Sequence, residues 1–275
     1  MTIATRNRFI RLATLCAIAF LLMSAISVVL TVMHRSLPAT PPGNRPIPLL
    51  DGWILTRYSP LASICAIAVF PALALAGLGY IMFAFEKTQT VEITFFAAAV
   101  FALSIESVRL FIPLYELWIN AGFFAVTISR VVFFCRIFAL LALLASGLFA
   151  NTQTIQQIGP SIFLLAFFSF SLANSIPINS AGMESNFLVS AGYSAVLDLF
   201  FMLIGLLSTL SYLILGLTRG VKEYRAGALG ILVLLVGYTL LLSCDSWVFL
   251  VAGTLLCANG AWLYLDRMHR YYLWQ

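Results

Sequence analysis

The sequence predicts an all-α, polytopic transmembrane helical bundle, and three observations lead to this prediction. Of the 275 residues, 62% are hydrophobic and only 9% are charged, whereas a soluble domain carries about a quarter charged residues. Apolar runs long enough to cross a bilayer, which takes roughly 20 residues, recur along the whole chain. The stretches between them are too short to fold alone, so we predict that residues 1–275 form one integral membrane domain.

The first predicted span, 9–33, serves as an N-terminal anchor and is followed by a Pro-rich outer loop, 34–59. Basic residues precede the span, as they do in a signal peptide, but its apolar run exceeds the usual length of roughly 7–15 residues. We therefore favour an uncleaved anchor and about eight spans, with seven remaining if it is cleaved. The loop segment SLPATPPGNRPIP holds five of the ten prolines, which predicts extended rather than helical backbone.

A seven-helix bundle is predicted for 60–266, and each of its spans is an apolar run between polar turns. Pro177 ends the shortest run, and small residues in the last two runs predict close helix packing at Gly230 and Gly260. The predicted spans are 60–85, 92–112, 121–150, 160–177, 194–217, 227–243 and 247–265. Residues 267–275 mix aromatic and basic side chains, which is typical of an interfacial cytoplasmic tail.

The distribution of lysine and arginine predicts that both termini are cytoplasmic. With the N-terminus inside, nine basic residues fall on the inner side and three in the outer loops, which is the bias that sets membrane orientation. An even number of spans agrees with this. The predicted location is the bacterial cytoplasmic (inner) membrane, and spans two to eight resemble bacterial seven-helix sensor modules in helix number and orientation.

Charged residues inside the apolar spans are the candidate functional site. Each charge near a span centre costs roughly 2.5–3.5 kcal/mol, so these side chains are expected to face the bundle interior, to pair or to contact water. Depth counting around a turn centred on Trp118 places them in the outer half of the bilayer. The predicted ligand-binding residues are Glu106, Arg109, Arg130, Arg136 and Asp198, with a weaker pocket mouth of Asn174, Asn179 and Glu116.

The same depth counting gives expected partners within this set. Glu106 lies level with Arg130 and shares a helix face with Arg109 at i, i+3, so we expect it to pair with one of them. Asp198 takes another arginine. Arg136, which is six residues deeper than Arg130 or ~9 Å along the helix, is expected to remain unpaired.

Two function classes, and a third of lower rank, follow from this cluster. The first is a receptor-like or accessory bundle whose outward pocket binds an anionic small molecule or lipid, since arginine suits carboxylate and phosphate. The second is a structural or assembly subunit in which the charges fix helices or a partner subunit. The third is a small transporter, although no internal repeat is evident.

An enzymatic role is not predicted, because the sequence shows no catalytic, nucleotide-binding or metal-binding motif. The two histidines, His34 and His269, lie outside the predicted spans, and the five cysteines form no C-x-x-C pair. We therefore expect no cofactor and no metal. The basic residues form no run with interleaved aromatics, so nucleic acid is not an expected partner, whereas membrane lipid is.

Overall fold

The computed structural model describes residues 2–34, 37, 57–88, 90–117, 122–150, 158–243 and 246–273. Within this part of the chain, eight helical segments are long and apolar enough to cross a membrane, which confirms the helical-bundle prediction. Most of the predicted Pro-rich loop, 34–59, lies outside the described residues. The helices are α1 (Ile3–His34), α2 (Pro60–Ala84), α3 (Val91–Ser104), α4 (Phe111–Leu114), α5 (Phe123–Phe149), α6 (Ile158–Ser175), α7 (Ser194–Thr218), α8 (Lys222–Ser243) and α9 (Trp247–Leu273).

Local chemistry explains where several helices begin and end. The Ser59 side chain accepts a hydrogen bond from the backbone N–H of Ala62, and Pro60 occupies the first helical position of α2, where its missing N–H is not needed. α9 continues to Leu273. The residues of the predicted tail that the structure describes therefore belong to a helix that extends from the last span.

The third span changes helix type in its middle. Residues Ile105–Leu110 form a 3-10 segment between α3 and α4, where the sequence predicts one continuous helix. Ser104 and Ser107 each donate a side-chain hydrogen bond to the carbonyl three residues earlier, which competes with the α-helical ladder. Pro113 has no N–H to donate, and in an α-helix its ring would clash with the carbonyl of Arg109. These local features favour the tighter backbone that carries both Glu106 and Arg109.

A short β-hairpin between α6 and α7 adds to the predicted helices. Strand β1 (Ile178–Met183) pairs antiparallel with β2 (Val189–Ala191), and the register between them is irregular. The tip closes through a hydrogen bond from the N–H of Glu184 to the carbonyl of Leu188. Phe187, Leu188 and Val189 are fully buried, so the tip packs into the bundle rather than extending from it.

The third span and α5 form the centre of the bundle, since they are the most buried of the eight spans, while α1 and α6 are the least. The central helix α3 presents buried alanines, which include Ala98, Ala99 and Ala102. Small side chains allow neighbouring helices to approach closely. Both central spans carry charged residues, and Glu106, Arg109 and Arg136 among them are buried in the interior of the bundle.

The N-terminus of α1, the turn from α2 to α3 and the C-terminal part of α9 meet at one end of the bundle. Arg6 donates hydrogen bonds to the backbone carbonyls of Phe85, Glu86 and Thr88, and the Phe85 ring packs edge-on against His269 with centroids 5.4 Å apart. We call this the terminal end. The β-hairpin lies at the opposite end, which we call the hairpin end.

Candidate functional site

Glu106 forms the centre of a buried charge cluster near the hairpin end. Its carboxylate lies 2.9 Å from Nη2 of Arg109 and accepts hydrogen bonds from Nε of Arg136 at 2.7 Å and Nη2 of Arg136 at 3.3 Å. The hydroxyl of Tyr238 on α8 donates a further hydrogen bond to this carboxylate at 3.3 Å. Glu106, Arg109 and Arg136 are 1%, 0% and 6% exposed. We call these three residues the Glu106 cluster.

The 3-10 segment aligns the first ion pair. In a 3-10 helix the side chains at i and i+3 eclipse each other, so Glu106 and Arg109 lie directly one above the other. Arg109 also donates from Nη1 to the carbonyl of Asn186 at 3.3 Å, and its Cζ lies 5.9 Å from the centre of the Phe70 ring. The expected pairing of Glu106 with Arg109 is therefore present, and it is buried.

The prediction that Arg136 lacks a partner is wrong, because Arg136 holds Glu106 through two hydrogen bonds. Depth counting compared Cα positions, whereas long side chains on a helix lean toward its N-terminus. Arg136 on α5 thus reaches toward the hairpin end, while Glu106 on the antiparallel third span leans the opposite way. The two side chains meet although their Cα atoms lie at different depths.

Arg130 and Asp198 lie outside the Glu106 cluster. Arg130 is exposed on another face of α5, so the expected pairing of Glu106 with Arg130 is not formed. Asp198 is exposed near the start of α7, and in the described part of the chain it forms no ion pair with an arginine, so the expected pairing of Asp198 is not formed there. Six residues separate Arg130 from Arg136, which rotates the helix by ~240° beyond a full turn, so only one of them faces Glu106.

The β-hairpin covers the Glu106 cluster from the hairpin end. Asn186, whose carbonyl binds Arg109, donates from Nδ2 to a carboxylate oxygen of Glu184 at 2.9 Å. The N–H of Val189 donates to Oγ of Ser129 on α5 at 3.0 Å, which attaches the hairpin to the central helix. The sequence provided no signal for this, because the hairpin residues lie between the predicted spans and the tip is buried only by tertiary contacts.

Several donors around the cluster are buried without a hydrogen-bond partner among the described residues. They are Nε and Nη2 of Arg109 and Oγ of Ser185. Nη2 of Arg109 is close enough to Glu106 for an ion pair but is not aligned for a hydrogen bond. A buried donor left unsatisfied costs about 1–3 kcal/mol. These groups can therefore donate hydrogen bonds to oxygen atoms of water or of an anion.

Electrostatics around the cluster leave it positive. Two arginines share one glutamate, and the next carboxyl, Glu184, lies on the hairpin. Burial raises the pKa of Glu184, against the opposing effects of the Asn186 hydrogen bond and the positive charges of Arg136 and Arg109. Glu184 forms no ion pair with either arginine in the described part of the chain, so Glu106 is the carboxylate that both of them contact.

The predicted pocket-mouth residues are dispersed around the hairpin end. Asn174 is exposed and donates to the carbonyl of Phe170 within α6, which is a helix-end bond rather than a pocket lining. Asn179 is exposed on β1. Glu116 adopts a positive φ of 52° in the turn after α4.

A second buried polar network, which the sequence reasoning missed, lies nearer the terminal end. Glu92, at the start of α3, is 2% exposed and accepts hydrogen bonds from the hydroxyls of Tyr224 at 3.1 Å and Tyr272. Ser146 on α5 donates to its backbone carbonyl at 2.7 Å. Glu92 stood at the predicted boundary of its span, and tyrosines near span ends are typical interfacial residues. Neither signal indicated a buried network.

Comparisons with known proteins found one bacterial relative. The chain is 26% identical to an "Uncharacterized protein" of Treponema pallidum (strain Nichols), in an alignment that covers the whole of both chains. No family model matches the chain. No solved structure matches it.

Proposed function

We propose that this multi-pass membrane protein is a receptor-like or accessory bundle that binds an anion at the Glu106 cluster, beneath the β-hairpin. The observation that carries the proposal is that two buried arginines share one carboxylate while Arg109 keeps a buried Nε without a hydrogen-bond partner in the described part of the chain. A carboxylate or phosphate oxygen supplies both the charge and the acceptor that this arrangement lacks.

Access to the cluster involves the hairpin. The buried tip residues Phe187 and Leu188 lie over this end of the bundle, and Asn186 contacts Arg109 directly. An anion that binds Arg109 from outside replaces the Asn186 carbonyl and displaces the tip. In this proposal the hairpin is the element that responds to the ligand.

Thermal unfolding of the purified protein in detergent tests the anion site. Inorganic phosphate and succinate are titrated separately, because a ligand at about 100 times its Kd stabilises the fold by about 2.7 kcal/mol. We expect at least one of these probes to raise Tm in the wild type and in Arg130→Gln, and not in Arg109→Gln. Arg130→Gln is the matched control, since it removes an exposed arginine outside the cluster. The proposal fails if no probe raises Tm or if Arg109→Gln responds like the wild type.

A structural role is the second candidate, and the number of elements that meet at Glu106 favours it. Its carboxylate contacts the 3-10 segment, α5 and α8, so the cluster can fix three spans in register for this chain or for an assembly. Here Glu106→Arg should destabilise the protein, and the double variant Glu106→Arg/Arg136→Glu should recover part of the loss. No recovery, together with normal anion binding, would rule against this role.

We also propose that the terminal end faces the cytoplasm of a bacterium. The nine basic residues that favour this orientation lie in α1, in the α2–α3 turn, around the α7–α8 turn and in α9, and the relative is bacterial. A green fluorescent protein fused to the C-terminus should fluoresce, and an alkaline phosphatase fused there should be inactive. The reverse pattern would contradict the orientation.

A further inference from the structure

A groove at the terminal end lies between the α2–α3 turn and the C-terminal part of α9. Its volume is about 230 Å³, and its lining includes Phe83, Glu86, Lys87, His269, Tyr272 and Leu273. Pockets that enclose a drug-sized ligand measure roughly 300–1,000 Å³. This groove is smaller, so it fits a compact polar group rather than a whole lipid or a large ligand.

Both walls of the groove are held in place by contacts outside it. Arg6 donates to the carbonyls of Phe85, Glu86 and Thr88 and so fixes the α2–α3 turn. The Phe85 ring packs edge-on against His269, and the Tyr272 hydroxyl donates to Glu92. The groove is thus part of the packed structure, so few of its side chains lose conformational freedom when a ligand binds.

The charges around the groove are complementary to an anion. Lys87 lines it directly, and so does His269, whose imidazole N–H can donate a hydrogen bond to an anion. The nearby carboxylates already face arginines, since Glu86 lies 3.9 Å from Arg11 and Asp266 lies 3.0 Å from Arg270. The positively charged residues of α1, the α2–α3 turn and α9 outnumber these two carboxylates; they are Arg6, Arg8, Arg11, Lys87, Arg267 and Arg270.

Apolar side chains extend from the groove onto the surface of the bundle. Phe83 is 81% exposed and Leu273 is 66% exposed, and both also line the groove. Phe83 lies in the last turn of α2, within a predicted membrane span, where a large exposed apolar side chain faces lipid chains. A molecule with a charged headgroup and apolar chains therefore matches both parts of this surface.

We infer that this groove binds the phosphate-bearing headgroup of an anionic phospholipid, with its acyl chains along Phe83. Basic pockets between spans on the cytoplasmic side bind such headgroups. The site is separate from the Glu106 cluster, which lies toward the opposite end of the third span. A basic loop can also act only as a determinant of membrane orientation, and that role requires no lipid preference in the folded protein.

Native mass spectrometry of the full chain in gentle detergent tests this inference. Phosphatidylglycerol and phosphatidylcholine with identical acyl chains are added in turn, and the lipid retained per protein is measured. We expect the wild type to retain more phosphatidylglycerol. Lys87→Gln/His269→Gln should lower that retention at least about fivefold, given the contribution of one basic residue near a membrane surface. Lys222→Gln, which removes a lysine from the α7–α8 side of the same end, and Arg109→Gln should retain wild-type levels.

A variant with the opposite effect and a soluble probe complete the test. Glu86→Gln removes a carboxylate from the groove and frees Arg11, so it should raise phosphatidylglycerol retention. Inorganic phosphate at the same concentration should not compete with the lipid. The inference is overturned if the two lipids are retained equally, if Lys87→Gln/His269→Gln retains as much as Lys222→Gln, or if inorganic phosphate displaces the lipid.

Discussion

Glu106 is surrounded by donors from three parts of the bundle, and this determines how its loss should act. Arg109 comes from the same 3-10 segment, Arg136 from α5 and Tyr238 from α8. Two fully buried or nearly buried guanidinium groups depend on one carboxylate for neutralisation. When one partner of a buried ion pair is removed, the other charge remains in a low-dielectric interior, which is costly.

We therefore expect Glu106→Gln to lower the free energy of unfolding by about 3 kcal/mol. Unfolding in mixed micelles of a mild detergent and sodium dodecyl sulfate measures this change. Glu86→Gln is the control, because Glu86 forms an exposed ion pair at 3.9 Å and such pairs contribute about 0–1 kcal/mol. Equal losses in the two variants would contradict the buried pairing of Glu106.

Glu184 should make stability depend on pH. Its pKa is raised by burial, so the folded protein binds the proton more tightly than the unfolded chain, whose glutamate pKa is about 4.3. The stabilisation that protonated Glu184 gives the folded protein is fully present below about pH 4.3, and it is lost as the pH rises through the folded-state pKa of Glu184. Glu184→Gln should match the wild type near pH 4 and have the higher Tm near pH 8. A lower Tm for Glu184→Gln than for the wild type near pH 8 would contradict this and show that the charged carboxylate stabilises the hairpin.

Helices α8 and α9 make the closest backbone contact in the described part of the bundle through glycines. A Cβ at Gly230 would lie 2.7 Å from the backbone nitrogen of Tyr264 and 3.0 Å from the carbonyl oxygen of Gly260. The sequence predicted this face from the small residues in the last two spans. Since backbone atoms line the contact on both sides, a methyl group can be accommodated only by moving a helix.

Gly230→Ala should consequently destabilise the protein by about 2 kcal/mol through overpacking. Gly79→Ala in α2 is the matched control, because no atom lies within 4 Å of a Cβ at that position. Alanine favours a helix over glycine by about 1 kcal/mol, so the control should be neutral or slightly stabilising. Tm in detergent compares the two variants, and equal Tm values would argue against a tight α8–α9 contact.

The spans were predictable at the scale of elements because apolar length is a local property. The hairpin was not, because Phe187 and Val189 are buried only once α2, α8 and the third span surround them. The 3-10 segment was also not predicted, although the residues that favour it, Ser104, Ser107 and Pro113, are visible in the sequence. At the Glu106 cluster, the partner Arg109 follows from helical spacing, whereas the partner Arg136 depends on side-chain direction across two helices.

At the scale of the whole molecule, the third span is tied to the same two helices near both of its ends. Near the hairpin end, Glu106 contacts Arg136 of α5 and Tyr238 of α8. Near the terminal end, Glu92 contacts Ser146 of α5 and Tyr224 of α8. Fourteen helical residues separate the two glutamates, which is about 21 Å or somewhat more through the 3-10 segment. The register of α3, α5 and α8 is thus set by polar contacts at two separate points.

These two networks should differ in strength and act independently. Glu92 forms no ion pair with a described residue, and a glutamine at this position still accepts the hydrogen bonds of Tyr224 and Tyr272. Glu92→Gln should therefore lower the free energy of unfolding by less than about 1 kcal/mol, compared with about 3 kcal/mol for Glu106→Gln. Sites this far apart usually add within about 0.5 kcal/mol. Unfolding of the double variant in mixed micelles measures the sum, and a loss well beyond it would mean that the two ends of the α3–α5–α8 core are coupled.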